Sequence, residues 1–260
     1  MIEAKISKTG IPYLRFGKGE PFVLIHGLGE IKEGWIHQFE LSQYFELIIP
    51  DLRGHGECNK TEGITIQNFA ADIILLLNEL NIKNTHILGL SMGGAVAQEI
   101  YRQSPSICRS LILASSFHYF PKKFKKWLFE NRKAKFEALS STGKQTEYLA
   151  RMALYSWNDE TVSNFNQLFR PKQDIFINSL KSCLEVNNLS LLRKIKIPTL
   201  IIGGQYDSVL PVWIQACMHK QIPHSKFVII RNTGHLAKLE AKDHFNLLLR
   251  SFLGQQAVAG

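Results

Sequence analysis

The stretch His86-Ile87-Leu88-Gly89-Leu90-Ser91-Met92-Gly93-Gly94 carries an apolar run into G-x-S-x-G and then straight into a helical pattern. Glycines beside Ser91 permit a tight strand-to-helix turn that exposes its hydroxyl at the edge of a sheet. A serine hydroxyl is a poor nucleophile unless a base takes its proton as attack proceeds, so a histidine is required elsewhere. His235 meets that requirement in Arg231-Asn232-Thr233-Gly234-His235, a loop beyond the apolar run 227–230. Its second ring nitrogen needs an acceptor that holds the productive tautomer and favours the imidazolium formed in the transition state. Asp207 fits, because it follows the run 200–202 through Gly203-Gly204-Gln205-Tyr206 at the same edge.

Attack on a neutral carbonyl builds negative charge on its oxygen, which preorganised donors must meet. The backbone N–H of Met92, immediately after the nucleophile at a helix start, is one candidate. The second is the N–H of Leu28 in the glycine-rich loop His26-Gly27-Leu28-Gly29. His26 itself reads as a residue that bonds neighbouring loops, and His55 and Asp51 as braces of their own glycine-bounded loop.

On the N-terminal side of this stretch, alternation in 2–6 and 11–16 around Lys8-Thr9-Gly10 predicts a small antiparallel hairpin. Short apolar strands follow at 22–25, 47–49, 85–90 and 110–114, separated by helical patterns near 35–44, 66–80 and 92–103. That rhythm implies a mostly parallel sheet with helices on both faces. It stops between about 117 and 192, where 123–139, 145–155, 161–168 and 172–185 read as short helices. It resumes with a strand at 199–202, a helix near 212–217, a strand at 227–230 and a helix around 241–252. The expected division is a core of residues 1–116 and 193–260 with an inserted helical cap of residues 117–192. The tail 254–260 offers little to pack and is expected to be mobile.

Several of these motifs together resemble the α/β-hydrolase superfamily over nearly the whole chain. They are His26-Gly27-Leu28-Gly29, Trp35, Pro50-Asp51-Leu52-Arg53-Gly54-His55-Gly56, Gly89 to Gly94, Asp207 and Gly234-His235. Within it, Gly89-Leu90-Ser91-Met92-Gly93-Gly94-Ala95-Val96-Ala97-Gln98-Glu99 and Gly234-His235-Leu236-Ala237 are similar to the enol-lactonase and small carboxylesterase branch. Enzymes that demethylate esters on acyl carrier proteins are similar too. The resemblance implies a serine hydrolase acting on a carboxylic ester, with a lactone, a thioester or a carbon–carbon bond as the alternatives, or a noncatalytic ligand receptor on the same fold. Cys58 stands where a serine is common after the glycine-histidine-glycine pattern, which loosens the placement within the superfamily more than it touches catalysis.

The 260 residues, 45% hydrophobic and 20% charged, suit one folded domain with an insertion. No apolar run is long enough to span a bilayer and the first residues lack a secretory leader, so a cytoplasmic protein is expected. Cys58, Cys108, Cys183 and Cys217 are widely spaced, which predicts free thiols. No metal-ligand spacing is present, and neither metal nor cofactor is expected. The formal charge of +9 is concentrated between positions 122 and 135 in Lys122, Lys123, Lys125, Lys126, Arg132, Lys133 and Lys135. This run reads as a solvated helix face or as a surface that attracts an anionic substrate or an acidic carrier protein; no nucleic-acid module accompanies it. The expected pocket residues are His118, Phe120, Phe124 and Trp127, facing an apolar acyl group.

Overall fold

The computed structural model describes residues 2–140 and 144–257. The described residues form an eight-stranded sheet. Strands β1 (Lys5–Ile6) and β2 (Pro12–Gly17) pair antiparallel, and β2 pairs antiparallel with β4 (Phe45–Pro50). From β4 onward the sheet is parallel, through β3 (Glu20–Ile25), β5 (Thr85–Leu90), β6 (Cys108–Ala114), β7 (Thr199–Gly204) and β8 (Lys226–Ile230). The hairpin is shorter than its alternation predicts, since residues 2–4 lie outside the strand and Ile6 at the sheet edge is 73% exposed.

Parallel strands are buried on both faces, so their residues divide between two cores with period two. Ile87, Leu111, Leu113 and Ile201 pack on one side with α1 (Ile66–Glu79) and α2 (Met92–Gln103). Leu88, Leu90, Ile112, Leu200 and Ile202 face the other side with Trp35, Phe245 and Leu249. Thr65 caps α1 by accepting the N–H of Asn68.

Between β6 and β7 the chain passes through α3 (Lys122–Ser140), α4 (Gln145–Ala153), α5 (Asp159–Leu168), α6 (Gln173–Glu185) and the short α7 (Leu189–Leu192), with no sheet strand among the described residues. Then come α8 (Trp213–Gln221), α9 (Ala237–Glu240) and α10 (Lys242–Ala257). The predicted helix at 35–44 is a 3₁₀ segment, Lys32–Gln43. The last helix runs past its expected end, since α10 continues to Ala257, with Leu253 fully buried and Gly254 and Gln255 exposed. Residues 258–260 of the expected mobile tail lie outside the described residues. No described helix is long and apolar enough to cross a membrane.

Candidate active site

Ser91, Asp207 and His235 all follow the C-terminal ends of parallel strands, the edge where open α/β sheets bind ligands. Ser91 joins β5 to α2 with φ 53° and ψ −115°, a left-handed conformation costly for a residue with a Cβ. The neighbouring chain enforces it. Its N–H donates to the Ala114 carbonyl at 2.9 Å, and its own carbonyl accepts from Ser116 Oγ at 2.9 Å. A Cβ at Gly93 would run into the carbonyls of Ile25 and His26, so the start of α2 can press against β3 only because that residue is glycine.

His235 Nδ1 lies 2.8 Å from Asp207 Oδ2, and both residues are buried. Asp207 Oδ1 accepts the N–H groups of Val209 at 2.9 Å and Leu210 at 2.8 Å. With both carboxylate oxygens committed, Asp207 can rotate little, and His235 Nδ1 must be the donor. The other ring nitrogen is thereby left as the basic one. The His235 N–H is itself held by the Ala153 carbonyl at 2.7 Å, which ties the histidine loop to the end of α4.

Ser91, His235, Leu28 and Met92 all line one cavity of about 560 Å³. Met92 is the first residue of α2, so its N–H has no intrahelical acceptor and sits at the positive end of the helix. His118, Phe120 and Phe124 line the same cavity. Trp127 does not: it is 64% exposed and absent from the lining. The cause is helical phase, because the inward face of α3 carries Leu128, Arg132 and Phe136 at four-residue spacing and Trp127 lies off it. Lys122, Lys123 and Lys126 are exposed and Lys125 partly so, and none of the four lines the cavity.

Two supporting groups escaped the sequence reading. Glu30 Oε2 accepts the Gly27 N–H at 2.8 Å, and Glu30 Oε1 lies 2.8 Å from Lys238 Nζ. Lys238 also donates to the Gly34 carbonyl at 2.6 Å and sits 4.2 Å over the Trp35 ring. This buried pair joins the Leu28 loop to the His235 loop; burial pulls the Lys238 pKa down, and Glu30 opposes it. Glu240 plays a similar part, accepting from Gly234, Tyr155 and Ser156 N–H groups, and burial raises its pKa. The only sequence signal for either group was a charged residue within a few positions of a site motif.

His26, His55 and Asp51 brace loops. His26 Nδ1 lies 2.8 Å from the Gly27 carbonyl, and Nε2 accepts the Leu52 N–H at 3.0 Å, which fixes a neutral ring. Asp51 accepts the backbone N–H of Lys32 at 2.8 Å and that of Glu57 at 3.0 Å. Burial pushes His26 down to about 4 and His55 to about 3. The unfolded chain therefore binds protons that the folded chain refuses as pH falls from about 6.5 toward these values. Stability is complete above that window and is lost through it, by about 2 kcal/mol for each such histidine at pH 5. Urea denaturation at pH 7 and pH 5 checks this; equal stabilities would contradict it.

Among the described residues no three His, Cys, Asp or Glu side chains gather into a metal-holding group. The four cysteines are free.

A family described as alpha/beta hydrolase fold matches residues 20–242. A 3-oxoadipate enol-lactonase from Acinetobacter baylyi is 25% identical over 220 residues, covering 82% of this chain and 80% of that protein. Lipase 1 from Psychrobacter immobilis is 26% identical over 239 residues, covering 86% of this chain and 74% of its own length. Among solved structures, a thermophilic esterase from Thermogutta terrifontis superposes with a TM-score of 0.85 at 27% identity, covering 98% of this chain and 97% of the other.

Proposed function

The chain belongs to the alpha/beta hydrolase fold family, and on that footing we propose that it is a serine hydrolase cleaving a carboxylic ester through a covalent acyl-enzyme. The observation that carries this reading is one cavity holding both Ser91, in its enforced left-handed turn, and His235, oriented by Asp207 at 2.8 Å. Ser91 Oγ attacks the ester carbonyl while His235 Nε2 takes its proton. The Leu28 and Met92 N–H groups receive the oxyanion. Collapse of the tetrahedral intermediate breaks the bond to the alkoxide, which leaves with the proton from His235. Water, deprotonated by the same imidazole, then releases the acid and restores Ser91.

In this reading residues 117–192 act as a cap whose underside shapes the acyl site. Phe117, Leu128, Phe165, Phe176 and Leu180 surround the cavity and favour an apolar acyl chain. Lys122, Lys123, Lys125 and Lys126 lie outside the cavity lining and take no part in the proposed chemical steps. Each methylene transferred from water into such a site is worth about 0.8 kcal/mol, so kcat/KM should rise roughly tenfold from 4-nitrophenyl acetate to the butyrate. Steady-state kinetics across a 4-nitrophenyl ester series tests this. Absence of turnover of every ester, or a preference for acetate over longer chains, would contradict the proposed substrate class.

A further inference from the structure

Arg132 is the cation of the cavity wall that the proposed hydrolysis does not use. It lines the cavity from the inward face of α3, between Leu128 and Phe136 in the four-residue register. Among the described residues its guanidinium has no hydrogen-bond or ion-pair partner, in contrast to the other charged groups at the site. Glu30 is paired with Lys238, and the Asp207 carboxylate is consumed by His235, Val209 and Leu210. The cavity is thus left with one guanidinium that no side chain pairs directly, in mostly apolar surroundings. Burial pulls the Arg132 pKa below its ordinary value, against weaker opposition from Tyr148, Cys183 and Asp207.

An unpaired guanidinium facing an apolar cavity is expensive, and a leucine or methionine at this point of the helix would cover the site at lower cost. A ligand that arrives with the missing charge removes that cost. The planar fork of the guanidinium matches a carboxylate in two parallel hydrogen bonds. A phosphate dianion would call for a second cation, and Arg132 is the one lysine or arginine among the described residues lining the cavity. We propose that Arg132 is the anion-recognition residue of this cavity, and that the substrate is an ester or lactone whose acyl portion ends in a carboxylate. The scissile ester rests on the hydrolase reading; the carboxylate site does not. Selectivity then comes from two separated points, the oxyanion donors at Leu28 and Met92 and the cation at Arg132.

The test uses the full chain and two probes of matched length, mono-4-nitrophenyl adipate and 4-nitrophenyl hexanoate, together with free adipate. Removing one partner of a desolvated charge pair costs on the order of 10²-fold, so Arg132→Met should lower the adipate-to-hexanoate ratio of kcat/KM by about that factor. Calorimetry on Ser91→Ala should detect adipate binding, and adding Arg132→Met should weaken it by a similar factor. Arg132→Lys keeps the charge without the fork and should recover part of both losses. Arg132-dependent adipate binding without turnover of either ester would support the anion site while sinking the hydrolase reading. An unchanged ester ratio with unchanged adipate affinity would overturn the proposal, and a lowered Tm in that variant would make Arg132 a packing residue.

Discussion

Ser91→Ala is expected to lower kcat for an ester by on the order of 10⁴- to 10⁶-fold while leaving the protein folded. The change removes only the atom that attacks. The alanine placed there must still adopt φ 53°, enforced by the Ala114 carbonyl and the Ser116 hydroxyl on either side of the turn. The expected Tm shift is therefore small, and the cavity with its Leu28 and Met92 donors persists. A residual rate above the uncatalysed one is expected, because positioning and oxyanion stabilisation survive loss of the nucleophile. Single-turnover assays at enzyme excess check the magnitude; a loss below about tenfold would mean that water, or another side chain, attacks directly.

Asp207→Asn should be almost as damaging, on the order of 10⁴-fold in kcat, without a comparable loss of stability. The count of donors and acceptors decides this. An asparagine has a single acceptor oxygen, and the Val209 and Leu210 N–H groups, at 2.9 and 2.8 Å, hold that oxygen where Oδ1 now lies. The NH₂ group then faces His235 Nδ1 across the present 2.8 Å contact. Two donors cannot share that contact, so Nδ1 gives up its hydrogen and Nε2 carries it instead. The imidazole would then offer a donor toward the nucleophile, which is the wrong tautomer for a base. The measurement is kcat alongside thermal denaturation of the same preparation. A loss of less than about tenfold would show that the His235 backbone bond to Ala153 orients the ring adequately by itself.

The strand-to-helix stretch 85–103 was legible because local signals agree there: an unbroken apolar run, small residues at the turn and a helix of matching length. Asp207 and His235 were legible for a related reason, as polar residues a few positions past apolar strands. What local sequence does not contain is the rotation of a helix about its own axis. Within the basic run of α3, the lysines and Arg132 look alike as charges, yet only Arg132 turns onto the cavity and Trp127 turns away from it. The spacing Leu128, Arg132, Phe136 held that signal, because an arginine between two apolar residues at four-residue intervals interrupts a buried stripe. The Glu30–Lys238 pair was out of reach for a different reason. It joins two loops distant in the chain, and neither partner sits in a motif that names the other.

In the proposed reaction Ser91 carries the acyl group between the two halves of the cycle. Intact-protein and peptide mass spectrometry after incubation with a fluorophosphonate, which traps an activated serine covalently, reads that role without a substrate having to be chosen. The expected result is one adduct per chain, located on Ser91 and lost in both Ser91→Ala and His235→Ala. An unlabelled but folded and hydrolytically active protein, or an adduct on a different residue that persists in Ser91→Ala, would contradict the account.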